Sequence, residues 1–175
     1  YFTGRVSKIQ SDSNEINVRY MRAQELLTDV RSEVLLGSLS EPLTSCIRAF
    51  NRAIRAGGFK WNDPVVIQGT GPIGILAIAA AQEMGAGRVI AVGAPETPRL
   101  KLARDFGAEA TVDIEKHKTA DERIKAVRDI VGGYGADLVM DCSGHPTAGP
   151  EGIEFLRDGG TYVEMGQFTD AGSIM

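Results

Sequence analysis

Cysteine, histidine, long apolar runs and excess basic charge are all scarce or absent in this chain, and each shortage removes a class of protein. Two cysteines, Cys46 and Cys142, cannot make a disulfide framework, and they suit a reducing cytoplasm, the expected location. No apolar run reaches the roughly 20 residues of a membrane helix, and no charged-then-apolar leader opens the sequence, so no membrane partner is expected. Nineteen basic residues against 23 acidic ones give a formal net charge of −4, which argues against a nucleic-acid surface. The two histidines, His117 and His145, cannot complete a zinc site with so little thiol. Only Cys142-x-x-His145 has ligand-like spacing, and a tetrahedral site needs three or four converging side chains. No metal ligand is therefore expected. Cys142 reads as a strand-end packing residue, His145 as a loop residue, and His117, inside Glu115-Lys116-His117-Lys118, as solvated. The first residue is Tyr1 rather than methionine, so a fragment or processed form is expected.

What the chain does have is glycine, and three of its 21 glycines fall in one decisive stretch, Val65-Val66-Ile67-Gln68-Gly69-Thr70-Gly71-Pro72-Ile73-Gly74. A β-branched run ends in G-x-G-x-x-G and passes directly into an apolar helical segment. That context is the one in which these glycines bind a dinucleotide. Gly69 serves the tight turn. Gly71 has no Cβ to hold a pyrophosphate away from the backbone, and Gly74 lets the helix lie close to the strand. Phosphate at a helix N-terminus meets free N–H groups and a favourable dipole. Pro72 suits the first helical position, where its missing N–H costs nothing.

The rest of the chain repeats the strand–helix alternation. At 175 residues it holds one sizeable core. Residues 1–40 are hard to read: strand-like alternation at Val6–Ile9 and Ile16–Tyr20, then a short helix capped by Thr28-Asp29 and stopped by Gly37. From Glu41 to Ala56 a helix is predicted, its apolar face Leu43, Cys46, Ile47, Phe50 and Ile54. Strands are predicted at 64–68, 88–92, 110–113, 137–141 and 161–165. Between them lie helices at 72–84, from Thr97-Pro98 to Gly107 with Leu100, Ala103 and Phe106 inward, after the capping box Thr119-Ala120-Asp121-Glu122, and at 149–157. Alternation of this kind gives an α/β fold, a doubly wound parallel sheet of Rossmann type in the order 3-2-1-4-5, with residues 41–175 as the dinucleotide domain. A sixth strand, usual in a complete domain, does not appear before Met175. The bare edge of the fifth strand is expected to drive self-association into a homo-oligomer.

Four ordered motifs, Glu41-Pro42-Leu43, Gly69-Thr70-Gly71-Pro72-Ile73-Gly74, Asp141-Cys142-Ser143-Gly144 and Gly159-Gly160-Thr161-Tyr162-Val163-Glu164-Met165-Gly166, resemble the zinc-dependent medium-chain alcohol and polyol dehydrogenases. The resemblance covers roughly residues 29–175 and implies a nicotinamide-cofactor domain serving an alcohol or polyol substrate. It places pyrophosphate on Gly69, Thr70, Gly71, Pro72, Ile73 and Gly74. It sets Cys142, Ser143 and Gly144 with Met165, Gly166 and Gln167 beside the nicotinamide, Ser45 against its ring, and Glu41 near the catalytic zinc. Zinc itself is implied only for the full-length enzyme, whose ligands and Gly-His-Glu motif belong to a domain this sequence does not carry. The ribose-binding acid, due about 20 residues past the last glycine, is replaced by Val92-Gly93-Ala94-Pro95-Glu96. Glu96 is the candidate to reach from the loop, with plain solvation as the equal alternative. NAD is the expected cofactor and NADP the alternative. Two other functions compete. One is a nucleotide-binding module without a reaction of its own. The other is a methyltransferase-type domain, disfavoured by Pro72 and the long apolar helix. A short-chain reductase is excluded, because no tyrosine has lysine four residues on.

Overall fold

The computed structural model describes residues 30–166, with side chains from residue 36 onward. The two short strands expected near the N-terminus, the Thr28-Asp29 cap and Gln167 lie outside the described residues. In chain order the elements are α1 (Val30–Arg55), β1 (Pro64–Gln68), α2 (Pro72–Glu83), β2 (Arg88–Gly93), α3 (Lys101–Asp105), β3 (Ala110–Asp113), α4 (Ala120–Ile130), β4 (Ala136–Asp141), α5 (Ala148–Phe155) and β5 (Leu156–Glu164). The chain divides into two compact units, residues 1–41 and 42–175.

The second unit is built on one parallel sheet in the order β3-β2-β1-β4-β5. Strand alternation sends side chains to opposite faces, and helices cover both. Val65 and Ile67 of β1, Val89 and Ala91 of β2, and Leu138 and Met140 of β4 pack with Cys46 and Phe50 of α1 and with Ile75 and Ile78 of α2. Val66, Ile90, Val92, Val112 and Val139 point the other way, onto Val127 of α4 and Phe155 of α5. Each fully buried branched side chain stabilises by about 1.5–3 kcal/mol relative to exposure. Strand β1 lies at the centre, paired from Val65 to Gln68 with both β2 and β4. The turn that follows β1 therefore emerges in the middle of the sheet's carboxyl edge, beside the switch in strand order.

Several local expectations are corrected. Gly37 does not stop a helix: α1 runs from Val30 to Arg55 with Gly37 and Pro42 inside it. An interior glycine costs only about 1 kcal/mol, which its neighbours can carry. On α1 the buried stripe is Cys46, Ala49, Phe50 and Ala53, while Ile47 and Ile54 are 36% and 43% exposed. The small alanines let the helix lie against the core, and the two isoleucines fall one position off that stripe. Regular helix after β2 begins only at Lys101, because Thr97 is extended (φ −122°, ψ 127°) within a wide turn over Glu96–Leu100. Leu100 and Ala103 are buried as expected, but Phe106, just past the end of α3, is 42% exposed. Helix α5 ends at Phe155, and β5 takes Leu156–Glu164, its first residues joining β4 through a register shift between Ala136 and Leu138.

The capping box forms as read. Thr119 Oγ1 accepts from the Glu122 N–H and the Glu122 carboxylate accepts from the Thr119 N–H, both at 3.2 Å. The Thr119 N–H holds the Glu122 carboxyl below the usual glutamate range. That arm of the box therefore stabilises at neutral pH and is lost as pH falls through that range. Thr119→Ala should destabilise the chain by about 1 kcal/mol. A thermal melt should show the midpoint falling by about 2–4 °C.

Candidate functional site

The glycine-rich turn is held by contacts that no side chain could replace. Gly69 leaves β1 with φ +91°, its N–H donates to the Val92 carbonyl at 2.8 Å, and a Cβ there would stand 2.9 Å from the Ser143 backbone. A Cβ on Gly74 would sit 1.8 Å from the Gly69 carbonyl oxygen, so the first turn of α2 rests directly on the end of β1. Gly71 differs from both. A Cβ added there would meet nothing within 4 Å, and its backbone (φ −77°, ψ −176°) is one any residue adopts. Gly71 is also the N-cap of α2, with Pro72 next and no side chain capping the helix. Two glycines are thus required by the fold, while the third leaves the N-terminus of a 12-residue helix bare.

Beside this turn, at the carboxyl ends of β1, β2 and β4, opens a cleft of about 300 Å3. Gln68, Gly69, Gly93, Ser143 and His145 line it, together with Arg123 and Glu151. The last two form a nearly buried ion pair. Arg123 Nε donates to Glu151 Oε1 at 2.8 Å and Nη2 to Oε2 at 2.5 Å, while Nη1 donates to the carbonyls of His117 and Lys118. Four of its five N–H donors are used, and the side chain ties α4 to α5 at the edge of the cleft. Gln68 Nε2 donates to the Ala148 carbonyl at 3.1 Å. Its Oε1 is buried without a partner among the described residues and faces Gly152, where a Cβ would stand 2.2 Å away.

The loops after β4 and β5 meet beside the turn. Asp141 Oδ1 accepts from the Ser143 N–H at 2.7 Å and from its hydroxyl at 2.6 Å, and the Ser143 hydroxyl accepts from the His145 N–H. The Asp141 carbonyl accepts from both Met165 and Gly166 N–H groups at 2.9 Å. A Cβ on Gly166 would stand 2.5 Å from the Gly144 nitrogen. Cys142, Ser143, Gly144, Met165 and Gly166 are therefore brought together around Asp141. Cys46 Sγ lies 3.6 Å from the Ile73 carbonyl, so the helix carrying Ser45 touches the α2 end of the turn. Ser45 itself is half-buried, and Glu41, exposed, closes the first unit. Burial pushes the Cys46 thiol up to about 11 and the Cys142 thiol up as well, which keeps both protonated and unreactive.

Glu96 stands in the loop after β2, ion-paired with Arg104 and, at 3.7 Å, with Lys116. The Arg104 guanidinium holds its carboxyl below the usual range. Gly93 ends β2 against Thr70: a Cβ there would sit 2.4 Å from Thr70 Oγ1. Position 93 therefore has no room for an acidic side chain while Thr70 is in place. Among the described residues no three His, Cys, Asp or Glu side chains converge as a metal site. His145 Nδ1 instead bonds the Thr147 hydroxyl at 2.9 Å. Sequence reasoning missed Gln68, which is 80 residues from Ala148, and the pair Arg123 and Glu151, which are 28 residues apart. It also passed over Asp141 as a hub, although a strand-end acid two residues before serine is a detectable Asx-type pattern.

The family model for zinc-binding dehydrogenases matches residues 72–174 of this sequence, and the chain belongs to that family. Among relatives, an erythritol/L-threitol dehydrogenase of Mycolicibacterium smegmatis is 39% identical over 132 residues, covering 75% of this chain and 34% of that protein. An L-threonine 3-dehydrogenase of Bacillus subtilis is 38% identical over 127 residues, covering 73% of this chain and 34% of its own length. Among solved structures, an alcohol dehydrogenase from Thermotoga maritima superposes with a TM-score of 0.65 at 35% identity, over 74% of this chain and 34% of the other. A protein from Sinorhizobium meliloti described as a zinc-binding dehydrogenase and solved with NADP gives 0.64 at 27% identity, over 77% and 37%. The chain spans about a third of the length of the relatives it matches. No helix among the described residues is long and apolar enough to cross a membrane.

Replacing Gly74 by alanine pushes a methyl group onto a backbone oxygen that cannot yield without moving β1 or α2. Gly74→Ala should cost about 1–3 kcal/mol, as overpacking does, and urea unfolding should detect it as a lowered midpoint.

Proposed function

We propose that this chain is the coenzyme-binding part of an NAD(P)-dependent alcohol or polyol dehydrogenase. The observation that carries the reading is Gly71: an open backbone face at a bare helix N-terminus, fixed between two glycines that are sterically locked. Pyrophosphate would be held there by backbone N–H groups of the turn and the first residues of α2. Residues 142–144 and 165–167 would flank the nicotinamide, with Ser45 beside them, and Glu41 would stand near the zinc of the whole enzyme. Residues 41–175 would form the cofactor domain and 1–40 a remnant of the catalytic domain or a connector to it. The cofactor supplies hydride transfer when bound, and the chain's own residues bind, orient and shield it. The described residues do not fit a zinc ion, so zinc would come with the remaining two thirds of the enzyme. A reducing cytoplasm suits two protonated thiols, Cys46 buried and Cys142 half-buried, and homo-oligomers are the proposed assembly. Sedimentation of the chain across a hundredfold dilution tests that assembly, a monomer throughout being the contrary result. Substrates would be small alcohols or polyols, by likeness to the relatives named above.

Gly71→Val tests this reading cleanly. Nothing crowds the branched side chain, and valine loses only the N-cap preference of glycine, so stability should fall by no more than about 1 kcal/mol. NADH binding, followed by calorimetry, should weaken at least tenfold, about 1.4 kcal/mol. Unchanged affinity in the folded variant would overturn the assignment.

Cofactor choice should be weak. Gly93 cannot carry an acid, Ala94 has none, and Glu96 is tied to Arg104 and Lys116. No fixed carboxylate therefore repels a 2′-phosphate. Titration with NADH and NADPH should give affinities within about tenfold, or 1.4 kcal/mol. A preference beyond a hundredfold would contradict it.

A further inference from the structure

Strands β4 and β5 end on two acidic residues set side by side. Asp141 and Glu164 are register partners in the parallel ladder, so like charges face each other directly, an arrangement that destabilises a sheet. Among the described residues neither carboxylate has an ion-pair partner. The group between them is a phenol. Tyr162 Oη lies 3.3 Å from Asp141 Oδ2 and 3.2 Å from Glu164 Oε2. It carries one proton and can donate to one of them. With both acids ionised, the other contact would oppose two oxygen lone pairs. Asp141 is the acceptor end: it is fully buried, and its other oxygen already takes two hydrogen bonds from Ser143. Glu164, at the exposed end of β5, is where a second proton can enter from solvent.

We propose that Asp141, Tyr162 and Glu164 share one extra proton, arranged as Glu164 Oε2–H···Oη–H···Oδ2 Asp141, and that its release to solvent loosens the β5 end carrying Met165 and Gly166. Glu164 gives up the proton and becomes a carboxylate. Tyr162 keeps its own proton and its bond to Asp141. The newly charged Glu164 is then repelled by its ladder partner and draws the Gly166 N–H away from the Asp141 carbonyl. These three side chains are positioning residues. Burial and the Asp141 charge raise the Glu164 carboxyl above the usual range, against the opposing pull of the Tyr162 hydroxyl and the Gly166 N–H. Burial and the same two acids push the Tyr162 phenol up, keeping it a donor. The other groups facing the cluster do not neutralise it. From the loop after β4 comes the Cys142 thiol, itself raised by burial. From α5 comes Gly149, open toward the hydroxyl, while Glu151 on that helix is closed on Arg123.

The sign follows from a raised folded-state value. The contribution is fully present below the unfolded carboxyl's range and is lost as pH rises through the folded value of Glu164. Carbon-13 carboxyl titration of the 175-residue chain reads this directly. The Glu164 resonance should titrate above the ordinary glutamate value, and titration at that value would overturn the proposal. Unfolding of Glu164→Gln gives an independent reading, because the amide keeps a donor for Tyr162 and cannot ionise. The variant should match the parent at about pH 4 and below and melt above it near pH 8, by about 3–5 °C for each tenfold of raised proton affinity. Parallel pH profiles would also overturn it. Should the variant fail to fold, the parent titration decides alone. The effect on cofactor rests on the coenzyme-domain reading. NADH affinity of the parent should fall from pH 5 to pH 8 while that of Glu164→Gln holds steady. A chain that binds no NADH would sink the coenzyme reading and leave the titration to judge the proton.

Discussion

The contact on which the site depends is the seat of α2 on the end of β1, where the Gly74 backbone rests against the Gly69 carbonyl at a separation no Cβ tolerates. A helix seated that closely points its N-terminus over the centre of the sheet. Strand β1 is paired on both sides, so the position of this N-terminus is fixed by two ladders at once. The anion-favouring end of the helix is thereby made rigid without a single charged side chain. No charged group fixes that position: the two crowded glycines do so by shape.

Around that seat, Asp141 joins segments that are distant in sequence. Its side chain orders the loop after β4 through Ser143, and its carbonyl receives the two N–H groups that follow β5. The Arg123–Glu151 pair does similar work farther out, linking α4 to α5 beside the cleft. Breaking either side of a buried pair like this costs about 3–5 kcal/mol, since a lone buried charge remains. The cleft is thus framed by polar contacts and reaches one hydrophobic core only at Val92.

The strands and most helices were legible because their signals are local. The β-branched run before Gly69, the Thr119–Glu122 box and the glycines that end helices each act within a few residues. Errors arose where tertiary packing overrode periodicity. Ile47 and Ile54 have the right spacing for a core stripe, yet the small Ala49 and Ala53 take the buried positions. Phe106 has the right spacing too, but the helix ends one residue before it. At the site, the three glycines could be read with separate tasks; a Cβ would collide at Gly69 and at Gly74 and meets nothing at Gly71. Arg123 with Glu151, or Tyr162 with Asp141, could not be read, since nothing in a linear pattern announces partners 28 or 21 residues apart.

The contact between Gly93 and Thr70 has an evolutionary consequence. The first carbon of any side chain at position 93 would stand 2.4 Å from Thr70 Oγ1, so Thr70 must turn or shrink to admit it. Thr70 is itself buried and contributes to packing where it stands. Substitutions at positions 70 and 93 are therefore coupled, and a change at one alters what the other can accept.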